Sequence, residues 1–184
     1  VALGFNLIYG ATKFFNLAHG VMAAVGAYFV FWLTKNLGVT PILAIALGVL
    51  FAGAAGFLSD KFVYLPLRRR KASNMVLLVA SLGVFTAIQA VLAILFTSQF
   101  QTLSTAASAE KIYHVIGGVI TQTQVAILAS GLAIMVALVV MLKKTLFGKA
   151  VKAISDDEEV AKIVGINTDK IIGRVFFVGS AIAG

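Results

Sequence analysis

Residues Phe14–Leu33 read FFNLAHGVMAAVGAYFVFWL, and this stretch decides the fold class. As a helix its 20 residues rise roughly 30 Å, the thickness of a bilayer's hydrocarbon core. Yet the stretch contains Asn16, His19, Gly20 and Gly26. Polar side chains at that depth are costly unless they face other helices or a water-filled cavity, so a lipid-facing anchor has no use for them. The reading is a polytopic membrane protein that moves something polar.

Composition agrees. Hydrophobic residues make up 60% and charged residues 12%, about half the charged share of a soluble domain. Mean hydropathy is +1.02. The net charge of +8 would suggest nucleic acid in a soluble protein. Here the basic residues flank apolar blocks, as the positive-inside rule requires, and no nucleic-acid partner is expected. Cysteine is absent, which excludes a disulfide framework, a thiol nucleophile and a thiolate metal site. The chain starts at Val1 and ends at Gly184, ten residues into a new apolar run. It reads as a fragment lacking its C-terminal part, forming a single, incomplete membrane domain.

The apolar blocks predict an all-α transmembrane bundle. A partial piece, Val1–Tyr9, is followed by spans Phe14–Leu33, Ile42–Leu58, Met75–Thr97 and Val125–Leu142, and a last block starts near Val175. The blocks lack strand-like alternation, and helices satisfy every backbone group in lipid without a closed barrel. Loop charge then orients the spans. Ser59–Asn74 holds Lys61, Arg68, Arg69, Arg70 and Lys71 against Asp60, and Lys143–Arg174 holds seven basic residues. Thr34–Pro41 has only Lys35, and Ser98–Gln124 only Lys111. The two basic loops are expected in the cytoplasm and the other two outside.

Gly48, Ala52 and Gly56 recur every four residues, which reads as a close-packing helix face. Tyr28, Phe29, Phe31 and Trp32 gather at the outer end of their span, as interfacial aromatics do.

Three stretches hold candidate functional residues. The first is IYGATKFFNLAHG, Ile8–Gly20. Its polar residues and glycines predict a helix broken between Gly10 and Gly20, with Asn16 and His19 facing the bundle interior. Either a buried break that fixes helix packing or a part of a transport path fits these residues. Gln89, inside the third span, is the other candidate path residue. No ligand has metal spacing to His19, so no metal site is expected.

The second is LFGKAVKAISDDEEVAKIVGINTDK, Leu146–Lys170. Ser155 and Glu158 have capping-box spacing, and Asp156 and Asp157 suit a positive helix start. Glu158 and Lys162 form an i, i+4 pair, and Gly165 closes the helix. Val160, Ile163 and Val164 then form an apolar face on a short exposed helix, which is marginal unless something covers it. A docking partner fits, and so does packing on the membrane ends or the lipid interface.

The third is KIYHVIGGVITQTQ, Lys111–Gln124, where β-branched residues flank Gly117-Gly118. A two-residue hairpin turn or a plain loop fits it. The sequence lacks G-x-x-x-x-G-K-[ST], H-E-x-x-H and G-x-S-x-G. No catalytic residues, nucleotide site or cofactor are therefore expected.

The runs IYGATKFFNLAHGVMAAVGAY, KFVYLPLRRRKASNMVLLVASLGVFTAIQ and GKAVKAISDDEEVAKIVGINTDKIIGRVFFVGSAIAG together resemble permease subunits of bacterial branched-chain amino-acid ABC transporters. The likeness is closer to the H-type of the two permeases that such systems pair. It implies a multi-pass protein of the bacterial inner membrane, whose pathway is formed with a second permease subunit. It also implies two cytoplasmic ATPase subunits as the drive, a periplasmic substrate-binding protein, and a role for Ser155–Asn167 in meeting an ATPase. Relatives in the same family carry urea or short amides. A self-sufficient channel or secondary transporter is the other class, although intramembrane acids for ion coupling are missing.

Overall fold

The computed structural model describes residues 1–96, 112–115 and 118–184. It is a helical membrane bundle with one short hairpin. Helix α1 (Ala2–Thr12) leads through a non-helical stretch, 13–18, into α2 (His19–Leu37). Helix α3 (Pro41–Ser59) continues without interruption through a π-helical turn, Asp60–Tyr64, into α4 (Leu65–Arg69). Helix α5 (Asn74–Phe96) follows. Strands β1 (Ile112–Val115) and β2 (Gly118–Thr121) pair antiparallel and lead into α6 (Gln122–Lys144). Helices α7 (Leu146–Asp156), α8 (Glu158–Ile163) and α9 (Thr168–Ala183) complete the described chain.

Four helical stretches among the described residues are long and apolar enough to cross a membrane: His19–Leu37, Pro41–Arg69, Asn74–Phe96 and Gln122–Lys144. Helix α9 is the centre of the bundle, packing on α1, α2, α3 and α7. Its Ile172, Val175 and Phe176 join Leu7, Ile8, Phe14 and Tyr64 in the core. Helices α5 and α6 are peripheral, with only Leu77 and Ser81 buried on one and Leu138 on the other. Their remaining apolar faces suit hydrocarbon, where no polar covering is needed.

The small-residue face of α3 explains how α2 and α9 approach it. A Cβ on Gly56 would overlap the Ser180 side chain and lie 2.9 Å from the Phe176 carbonyl oxygen. Ala52 is fully buried, and Gly48 lies against Val30 of α2. The turn from α6 to α7 depends on a second close approach. Gly148 abuts the Leu142 backbone where any Cβ would collide, and its N–H donates to the Thr145 hydroxyl at 3.1 Å.

Several expected boundaries move. The first six residues of α2's predicted span, 14–19, are non-helical except for His19, so α2 crosses as 19–37 instead. Ser59–Asn74, expected as a loop, is helical to Arg69 because a π turn absorbs Pro66. Proline has no N–H to donate, and the Leu65 N–H reaches back five residues to the Asp60 carbonyl, so the helix carries on past the missing bond. Lys143–Arg174 contains two complete helices and the start of α9, which begins at Thr168 rather than near Val175. The register pairs Val115 with Gly118. Gly118 is therefore a strand residue and not part of the turn; Gly117 lies outside the described residues, as do Thr97 and most of Ser98–Gln124.

The two basic regions lie at the same end of the bundle. Arg69 pairs with Asp169 at 3.0 Å, and Lys13 approaches Ser155 at 3.5 Å. The hairpin precedes α6 at the opposite end of that helix from Lys143 and Lys144.

Candidate functional site

The break between α1 and α2 is built from the backbone outward. Lys13 adopts left-handed backbone, φ 56°, and its N–H donates to the Tyr9 carbonyl at 2.8 Å. A non-glycine residue there stores roughly 1–3 kcal/mol of strain, which the surroundings must hold. They do so through α5. Ser81, fully buried, accepts the Leu17 N–H at 3.1 Å and donates to the Leu78 carbonyl at 2.7 Å. Asn74 donates its amide to the Lys13 carbonyl at 3.4 Å. Backbone groups released by the break are thus met by side chains, as a low-dielectric interior demands.

Asn16 sits inside this break, 4% exposed, and its Oδ1 accepts a hydrogen bond from the Tyr64 hydroxyl at 2.9 Å. Tyr64 belongs to the π turn and packs on Phe14 and Phe176, with ring centroids 5.2 and 5.3 Å away. One helical turn before Tyr64, Asp60 is buried and binds Arg68 Nη2 at 2.7 Å. Arg68 Nε and Nη1 are buried without a partner among the described residues. That leaves the guanidinium dependent on Asp60 for its one ionic contact.

His19 opens α2 and is 1% exposed. Its Nε2 lies 3.1 Å from the Val1 carbonyl, which requires the proton on that nitrogen. Nδ1 has no partner among the described residues. The ring packs against Gly4, where a Cβ would lie 2.9 Å from it.

Asn16 and His19 therefore occupy the packed interior. Gln89 does not join them. It is exposed on a groove of about 560 Å³ between α2 and α5, with Tyr28 and Thr86 beside it. No group of three or more metal-ligating side chains is present among the described residues.

The second candidate site is α8. Its cap is Asp157, not Ser155. Asp157 has extended backbone, φ −155° and ψ 115°, and its Oδ1 accepts the Glu159 and Val160 N–H groups at 2.8 and 3.0 Å. Ser155 lies in the last turn of α7, because buried Val151 and Ile154 carry that helix through it. A residue in helical backbone has no capping geometry to offer. Glu158 and Lys162 form an ion pair at 2.7 Å, and Gly165 is left-handed at φ 88°. Ala161 anchors the helix to the core. Val160, Ile163 and Val164 point away from it, 53%, 83% and 68% exposed.

The family described as branched-chain amino acid transport system, permease component, matches residues 1–184. The chain is similar to the high-affinity branched-chain amino acid transport system permease proteins LivH of Salmonella typhimurium and LivH of Escherichia coli K12, 26% identical to each. It is 24% identical to BraD, the protein of the same description from Pseudomonas aeruginosa. Each comparison covers 100% of this chain and 62% of the relative, so the chain spans less than two thirds of their length. No solved structure matches it. The four span-length helices among its described residues make it a multi-pass membrane protein, and the family match over residues 1–184 places it: the chain belongs to the family of branched-chain amino acid transport permeases.

Proposed function

We propose that this chain forms part of the translocation pathway of an ABC importer for branched-chain amino acids in a bacterial inner membrane. A second permease subunit completes the pathway, two cytoplasmic ATPase subunits drive it, and a periplasmic binding protein delivers the solute. The basic end of the bundle faces the cytoplasm, in keeping with its arginines and lysines. Asn16 and His19 support the pathway from the packed interior, since both are buried. Gln89 is the one of the three exposed to a groove.

The observation that carries the coupling role is the outward face of α8. A six-residue helix is too short to persist by its own hydrogen bonds, yet it is capped, ion-paired and anchored with three aliphatic side chains turned outward. An ATPase surface that covered them would gain roughly 1.5–3 kcal/mol for each side chain fully buried. The test is Ile163→Glu in the full-length permease, expressed with its ATPases. ATPase co-purification and amino-acid uptake should both fall while membrane insertion is unchanged. Retention of both would refute the docking role. Uptake of urea or short amides in place of leucine, isoleucine and valine would refute the substrate class and leave the coupling reading intact.

A further inference from the structure

At the basic end of the bundle, α1, α6 and α7 enclose a recess of about 460 Å³, within the range of small-ligand sites, roughly 300–1,000 Å³. Its lining is mostly apolar, with Leu3, Leu7, Leu138 and Leu142 and one neutral polar side chain, Asn6. Its rim carries Lys143, Lys152 and Ser155. A third cation, Lys13, lies beside the rim with its Nζ 3.5 Å from the Ser155 hydroxyl. No acidic residue lines the recess, and none of the three lysines forms an ion pair among the described residues.

The position of the recess decides its occupant. Lys143 is the penultimate residue of α6, whose Gln122–Lys144 stretch is of spanning length. The leucines therefore lie at the depth of acyl chains and the lysines at the depth of headgroups. We propose that this recess binds one anionic phospholipid. Its phosphate is held by Lys143, Lys152 and Lys13, and the upper part of an acyl chain lies along Leu3, Leu7, Leu138 and Leu142. A small soluble anion would leave Leu3 and Leu142, which are only partly buried, uncovered. A zwitterionic lipid would bring no net charge to the two ammonium groups on the rim and the one beside it. The site depends on the chain's membrane location and is independent of which solute it carries.

The test uses the purified full-length permease in detergent micelles, with phosphatidylglycerol and phosphatidylcholine as probes and native mass spectrometry as readout. Each lysine near an anionic headgroup is worth about a fivefold change in affinity. Lys143→Gln/Lys152→Gln should then weaken retention of phosphatidylglycerol by roughly 30-fold. The control pair Lys149→Gln/Lys170→Gln removes the same charge from exposed positions outside the recess and should retain the lipid. Equal retention of both lipids by the unaltered protein would overturn the proposal. So would an equal loss in the control pair, which would mean general attraction to the basic end. Displacement of phosphatidylglycerol by excess inorganic phosphate would mean a soluble-anion site and would overturn it as well.

Discussion

Replacing Tyr64 by phenylalanine removes one oxygen atom and should destabilise the bundle out of proportion to its size. The ring remains packed on Phe14 and Phe176, so the packing term changes little. What is lost is the hydroxyl that donates to Asn16 Oδ1 at 2.9 Å, between residues 0% and 4% exposed. A buried acceptor left without a donor costs roughly 1–3 kcal/mol. For a chain of this size that is a fall in Tm of about 2–4 °C per kcal/mol. Asn16→Leu strands the tyrosine hydroxyl instead and should cost a similar amount. The double variant Asn16→Leu/Tyr64→Phe removes both partners, and its loss should be smaller than the sum of the single losses by at least ~1 kcal/mol.

The assay is thermal denaturation of the purified full-length permease in detergent, followed by the loss of the monodisperse species. Additivity of the two single effects within ~0.5 kcal/mol would refute the pairing. The same cycle separates the two readings of Asn16 when uptake is measured beside stability. If Asn16 only fixes packing, uptake should recover with Tm in the double variant. Recovered stability with absent uptake would make Asn16 a pathway residue.

The ion pair at the end of the π turn gives a second expectation. Asp60→Ala should lower stability by up to about 3–5 kcal/mol, because it leaves Arg68, whose side chain is only 12% exposed, unpaired, whereas Asp60→Leu/Arg68→Met should be milder. Helix packing gives a third. Gly56→Ala should lower Tm, since its Cβ would overlap the Ser180 side chain, an overpacking cost of about 1–3 kcal/mol. Gly83→Ala, in α5 with nothing within 4 Å of its Cβ, should not; equal shifts in the two variants would refute the close-contact argument. The fourth concerns orientation: cysteines at Arg70 and Gln122 should label from opposite sides of the membrane, and labelling from one side would refute the assigned topology.

The membrane class was legible because it rests on long-range composition. Apolar blocks of bilayer length and clustered basic residues survive any error in local geometry. The break at 13–18 was legible for a related reason: Asn16 and His19 are too costly to face lipid, so the helix carrying them had to be interrupted or covered. The partners of the break were another matter. Asp60, Tyr64 and Arg68 recur every four residues, the spacing of one helical face, but the charge between two apolar blocks made the segment read as a loop. Whether such a face is buried depends on what packs against it, here Phe14 and Phe176 on Tyr64, and nothing in the composition signals that. Ser81 is equally silent, one serine in a long apolar helix whose role depends on where α5 lands.

The start of α8 has the same lesson at shorter range. Ser155 has the residue type and the spacing to Glu158 that a capping box needs, and Asp157 stands two residues further along. Choosing between them requires knowing how far α7 extends. That is decided by burial of Val151 and Ile154 against the core, not by the local pattern. Once Ile154 is held in place, Ser155 is inside a helix and its hydroxyl is turned toward Lys13. Asp157 is then the first residue free to take extended backbone and accept two N–H groups. Moving the cap by two residues leaves Val160, Ile163 and Val164 outward. The outward aliphatic face was readable from the spacing of its residues, while the residue that starts its helix was set by tertiary packing.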